Sequence, residues 1–131
     1  MKPSYSLLEL NYPAALAPCS GAWANQCAIR LSIALQQAGV SFSGYGDPTC
    51  VHGHARGAES LANFLWRSIG PAFKYSKNAQ SKIAHQKGIV FFKDISGFRG
   101  GQGDHIDLWN GYGTKSGEYF QESGEVWFWP L

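Results

Sequence analysis

Trp23-Ala-Asn-Gln-Cys27-Ala-Ile-Arg-Leu-Ser-Ile-Ala-Leu35 decides the fold of this 131-residue chain. Cys27, Leu31, Ala34, Leu35 and Ala38 recur at helical spacing, and Ile29 and Ile33 add a second apolar stripe. A helix apolar around most of its circumference belongs inside a domain rather than on its surface. Asn25 is a suitable N-cap, and Gly39 stands where a left-handed residue ends such a helix. Cys27 then falls in the first turn, where free backbone N–H groups and the positive end of the helix dipole favour negative charge on sulfur. A thiol so placed is either a small buried apolar residue or a nucleophile. A base elsewhere in the chain decides between the two.

Four histidines are available. His105 has the most suitable setting, because it opens His105-Ile-Asp-Leu-Trp-Asn110, an alternating polar and apolar run that reads as a half-buried strand. The glycine-rich stretch Ser96 to Gly103 before it reads as a flexible turn. An imidazole at a sheet edge, facing the N-terminus of a helix packed on that sheet, meets the needs of a thiolate–imidazolium pair. The residue that orients the imidazole is open between Asp107, on the same strand face, Glu118 in the following loop, and none, which would leave a dyad. Gln26, just before the thiol, is a candidate for oxyanion stabilisation. Arg56 or Arg99 suits a substrate carboxylate, and Trp109 suits a cleft wall. His85 reads as a surface residue on a polar helix.

The rest of the chain supports an α+β domain, with helices first and an antiparallel sheet after. Residues 1–22 contain Pro3, Pro13 and Pro18 and read as an irregular arm, with a short strand or a turn of helix open at Leu7, Leu8 and Leu10. A helix over Gly57 to Ile69 buries Leu61, Phe64, Leu65 and Ile69, and a polar helix spans Ser76 to His85. Gly88-Ile-Val-Phe-Phe92 and Glu125-Val-Trp-Phe-Trp129 read as strands. The length suits one domain spanning residues 1–131. A net charge of +2 is too small and too scattered to argue for nucleic acid or an anionic membrane. No apolar run is long enough to span a membrane, and no signal-peptide pattern opens the chain.

Three cysteines allow one disulfide and one free thiol. With Cys27 as the working thiol, Cys19 and Cys50 remain as a possible pair. Cys50-x-His52-x-His54 has the look of a metal-ligand cluster, but the four ligands of a structural zinc site are not there. Neither a metal nor a cofactor is expected.

Four segments, in order, resemble the type VI secretion amidase effectors, most closely their fourth family: Asn25-Gln-Cys27-Ala-Ile-Arg-Leu-Ser32, His54-Ala-Arg-Gly-Ala-Glu-Ser-Leu-Ala62, Lys87-Gly-Ile-Val-Phe-Phe92 and Gly103-Asp-His105-Ile-Asp-Leu-Trp-Asn-Gly111. The resemblance implies a papain-like fold of the NlpC type. It also implies cysteine amidase activity on peptidoglycan stem peptides at the γ-D-glutamyl–meso-diaminopimelate bond, with Cys27 as nucleophile and His105 as base. It implies secretion without a signal peptide into a rival's periplasm, a secretion-apparatus partner, and a cognate immunity protein that blocks the cleft. The family's acidic third residue follows the histidine strand, where this chain holds Ser116 or Gly117. A neighbouring effector family that cuts the peptide crosslink is the alternative enzyme, and a non-catalytic wall-binding module is the alternative without chemistry.

Overall fold

The computed structural model describes residues 2–13, 26–50, 53–98 and 101–131. Their elements are α1 (Tyr5–Leu10), α2 (Cys27–Gln37), α3 (Ala58–Ser68), β1 (Phe73–Tyr75), α4 (Ala79–Ile83), β2 (Gly88–Phe98), β3 (Gly101–Trp109) and β4 (Ser123–Pro130). The strands form one antiparallel sheet in the order β1-β4-β2-β3, so β3 is an edge strand. The expected α+β arrangement, N-terminal helices on a C-terminal antiparallel sheet, is what the chain adopts.

Strand alternation sorts the side chains into two cores. Ile89, Phe91, Ile106, Leu108, Trp127 and Trp129 face one side and pack with α1, α2 and α3. Val90, Phe92, Trp109, Val126 and Phe128 face the other and pack with Ala79 and Ile83 of α4. Both faces are covered, which is why β2 and β4 read as unbroken apolar runs. Each large side chain fully removed from water contributes roughly 1.5–3 kcal/mol. Trp109, Trp129, Phe91, Phe92 and Phe128 are all below 2 % exposed.

Two glycines are there for want of a side chain. A Cβ on Gly88 would lie 2.0 Å from the Trp129 carbonyl oxygen, where β2 and β4 run close. Gly111 has φ +99 and would press a Cβ to within 3.1 Å of the His85 Cα.

Several expectations are corrected. The arm over residues 1–22 is not wholly irregular, because Tyr5–Leu10 forms α1 and buries Tyr5 and Leu8. The polar helix over Ser76 to His85 shrinks to Ala79–Ile83, since Asn78 takes a left-handed conformation (φ 57) before it and His85 does so (φ 68) after it. The glycine-rich segment is not a flexible turn throughout. β2 runs to Phe98 and β3 starts at Gly101, with irregular register between Phe92 and Ile95 and between Ser96 and Phe98. Asp94 at φ 56 and Gly97 at φ 76 absorb those irregularities. β1, a three-residue strand, had no periodic signature.

Candidate active site

α2 begins at Cys27 itself, after Gln26, whose side chain makes no capping bond to the helix. The Gln26 carbonyl accepts the first helical bond from the Arg30 N–H at 2.9 Å. Asn25, the expected cap, lies outside the described residues. Cys27 is buried and takes part in no disulfide. Around it, Ala28, Ile29, Leu31, Ala34 and Leu35 have no exposed surface, so packing fixes the start of this helix against the sheet.

α2 packs on β3, and among the described residues β3 is the edge strand of the sheet, which leaves His105 open to the first turn of α2. His105 hydrogen-bonds the Cys27 side chain. Its Nε2 meets Asp107 Oδ2 at 2.8 Å. That leaves Nδ1 to face the sulfur, with Nε2 carrying the hydrogen donated to the carboxylate. His105 and Asp107 are 5 % and 0 % exposed, so the expected half-buried strand has its polar face covered too. Phe92 stacks on the imidazole, and Tyr119 meets it edge-on.

A buried carboxylate needs donors, and Asp107 has them. Oδ1 accepts from the Leu108 and Lys115 N–H groups at 2.8 and 3.1 Å. Oδ2 accepts from the Ser116 N–H at 2.9 Å, the Gly117 N–H at 3.2 Å and the Ser116 hydroxyl at 2.8 Å. The loop after β3 thus wraps the carboxylate with successive backbone amides, and Ser116 Oγ also lies 3.4 Å from His105 Nε2. Burial alone would pull the imidazole pKa down. Its bonds to Asp107 and Cys27 outweigh that and raise it to about 9.

Of the residues singled out from sequence, Cys27, His105 and Asp107 come together. Gln26 is buried directly before the thiol. Glu118 is exposed, and the carboxylate bonded to His105 is that of Asp107. Trp109 is corrected as a cleft wall: it is 1 % exposed, donates its indole N–H to the Ile83 carbonyl at 3.0 Å and packs on Phe120. The α4 side of the sheet claims it, which alternation along β3 could not reveal. Arg99 lies outside the described residues. Cys50 is disulfide-bonded, which removes its thiolate from any metal cluster with His54, whose Nδ1 lies 3.6 Å from the sulfur. Cys19, the expected partner, and His52 lie outside the described residues. Among the described residues no group of three metal-binding side chains converges, and no helix is long and apolar enough to cross a membrane. Sequence reasoning placed Ser116 only through resemblance and missed Tyr12, whose distance along the chain hides its place beside the site.

A thiol at a helix start, an imidazole and a buried carboxylate in one hydrogen-bonded line on an α+β frame are the constellation of a cysteine hydrolase. The chain belongs to the family of type VI secretion system amidase effector protein 4, Tae4, whose family model matches residues 23–129. It is thus an amidase effector of a system that secretes into target cells. Among solved structures, the chain is similar to the type VI effector Tae4 from Enterobacter cloacae, with TM-score 0.80 and 20% identity, covering 100% of this chain and 98% of that one. It is likewise similar to the Enterobacter cloacae Tae4-Tai4 effector-immunity complex, with TM-score 0.80, 19% identity and coverage of 100% and 99%. For the Tae4-Tai4 complex from Salmonella Typhimurium the values are 0.79, 18%, 100% and 99%. No curated protein sequence matches the chain.

Proposed function

We propose that the chain is a cysteine amidase that hydrolyses the γ-D-glutamyl–meso-diaminopimelate bond of peptidoglycan stem peptides in the periplasm of a target cell. The observation that carries the reading is the line from Cys27 through His105 to Asp107, closed by the 2.8 Å contact between imidazole and carboxylate. Cys27 Sγ, as thiolate, attacks the amide carbonyl and forms a C–S bond, and backbone N–H groups at the start of α2 receive the oxyanion. The C–N bond breaks as protonated His105 gives its proton to the leaving amine. The now neutral imidazole takes a proton from water, whose oxygen attacks the thioester and releases the acid, restoring the Cys27–His105 pair. Asp107 holds the ring and stabilises its charged form.

Type VI delivery brings a secretion-apparatus partner, and a producer of such a toxin needs an immunity protein like the Tai4 seen with Tae4 of Enterobacter cloacae. A wall-binding module without chemistry is disfavoured, because Trp109, Trp127 and Trp129 are buried and do not offer their rings to sugars or peptides.

Mass spectrometry of purified muropeptides after digestion tests the reading. The expected products are fragments cut between D-glutamate and diaminopimelate, absent with Cys27→Ala or after iodoacetamide treatment. Crosslink cleavage instead would assign the chain the other bond. Full activity in Cys27→Ala, or a native Cys27 that iodoacetamide never reaches, would overturn the cysteine mechanism.

A further inference from the structure

The proposed catalytic line does not end at Asp107. Tyr12, just beyond α1, is 8 % exposed and packs in the same core cluster as Cys27. Its buried hydroxyl completes no hydrogen bond of good geometry, a costly state for a polar group, and its contact with Ser116 is a loose one. The group it lies against is Ser116, and Asp107 and Cys27 are close enough for their charges to be felt at the phenol. The location has independent support: Glu9 Oε2 meets Lys115 Nζ at 3.3 Å, pinning α1 to the residue before Ser116. Ser116 Oγ spends its one hydrogen on Asp107 Oδ2 at 2.8 Å and keeps lone pairs to accept another. Ser116 is therefore a suitable acceptor at the side of the phenol, and it lies where the sequence resemblance, which left Ser116 and Gly117 open, expects an acid.

We propose that Tyr12 is a positioning residue of the amidase reaction, its hydroxyl donating to Ser116 Oγ and thereby holding Ser116, Asp107 and His105 in register. This rests on the function proposed above. Catalytic hydrogen bonds that are loose in a free enzyme tighten when substrate closes the site. A Ser116 hydroxyl that accepts from Tyr12 becomes a stronger donor to Asp107, because chained hydrogen bonds polarise one another. Where a second acid would hold the ring directly, this chain extends one acid outward through two neutral hydroxyls, anchored on the N-terminal arm.

The test is a double-mutant cycle in the full chain with Tyr12→Phe and Ser116→Ala, read as kcat and KM on a purified stem peptide. Tyr12→Phe should lower kcat about tenfold with KM within about twofold, since an interaction felt in the transition state appears in kcat. The double variant should be no slower than Ser116→Ala, since residues of one network are not additive. Wild-type kcat in Tyr12→Phe, losses that multiply, or a change confined to KM would overturn the proposal. Cys27→Ala in the same assay separates the two failures: if it stays active the catalytic reading falls, and if it is inactive while Tyr12→Phe is unaffected only Tyr12 falls. Should Tyr12→Phe not fold, 3-fluorotyrosine at position 12 keeps the hydroxyl and shape. Its fluorine resonance should move in Asp107→Asn, and an unmoved resonance would overturn the proposal.

Discussion

The two halves of the proposed catalytic centre are held by different physics. The thiol half is held by packing: Cys27 opens a helix in which Ala28, Ile29, Leu31, Ala34 and Leu35 are fully buried, and whose start carries no side-chain cap. In the same helix the Ser32 hydroxyl donates to the Ile29 carbonyl at 3.0 Å and accepts the Ala55 N–H at 3.2 Å. The imidazole half is held by hydrogen bonds, with Asp107 accepting from His105, Leu108, Lys115, Ser116 and Gly117. Packing fixes where the sulfur is, while directional bonds fix which way the ring points. Substitutions should therefore split: those in the polar half change rate and pH dependence, and those in the apolar half change stability first.

The largest effect expected from that contrast is on Asp107→Asn. An amide cannot accept from every donor now facing the carboxylate and loses the charge that supports imidazolium, so kcat should fall by about 10²–10⁴-fold. The pH profile sharpens the comparison. The folded pKa of His105, about 9, lies above its unfolded value. Its charged form thus stabilises the fold below the unfolded value, and that contribution is lost as pH rises through about 9. Both kcat/KM and thermal stability should decline together on that alkaline side. In Asp107→Asn the alkaline limb should move to lower pH, because the attraction that holds the proton is gone. A limb that stays in place would show that Asp107 does not govern the imidazole.

The apolar half is broken by Leu31→Ala. Leu31 is 0 % exposed, one turn beyond Cys27, and truncating it should cost ~2–5 kcal/mol through lost transfer energy and the cavity left behind. The melting temperature should drop by roughly 5–20 °C. Activity per folded molecule, measured well below the transition, should stay within several-fold of wild type. A collapse of kcat at unchanged stability would mean that the thiol is not positioned by packing after all.

The same division explains what could be read from the sequence. Apolar period fixed α2 and α3, and with α2 the place of Cys27, because burial leaves its mark in spacing. Period-two alternation put Asp107 beside His105, as the strand does. Where a polar residue's role depends on the loop that folds over it, spacing is silent: nothing near Ser116 signals that its amide and hydroxyl turn onto Asp107. Trp109 was misjudged for a similar reason, since alternation says which face it shares but not that α4 covers that face. The hairpin at the end of β2 was hidden by glycine, which weakens strand propensity yet is what lets the irregular register form. α1 has only six residues, too few for a periodic pattern to stand out among prolines.

The smallest expected effect lies where the halves touch through α1, at the Glu9–Lys115 pair. Its side chains are 44 % and 33 % exposed, so solvent and salt screen it and it contributes less than ~1 kcal/mol. Glu9→Gln keeps the shape of the side chain and removes only its charge. The melting temperature should shift by no more than about 4 °C, and the shift should shrink as salt rises. The α1 helix should stay docked, because Tyr5 and Leu8 remain buried in the apolar core. A larger, salt-sensitive loss would mean that charge, rather than apolar burial, seats the N-terminal helix, and the contrast between the two halves would then have to be drawn along a different boundary.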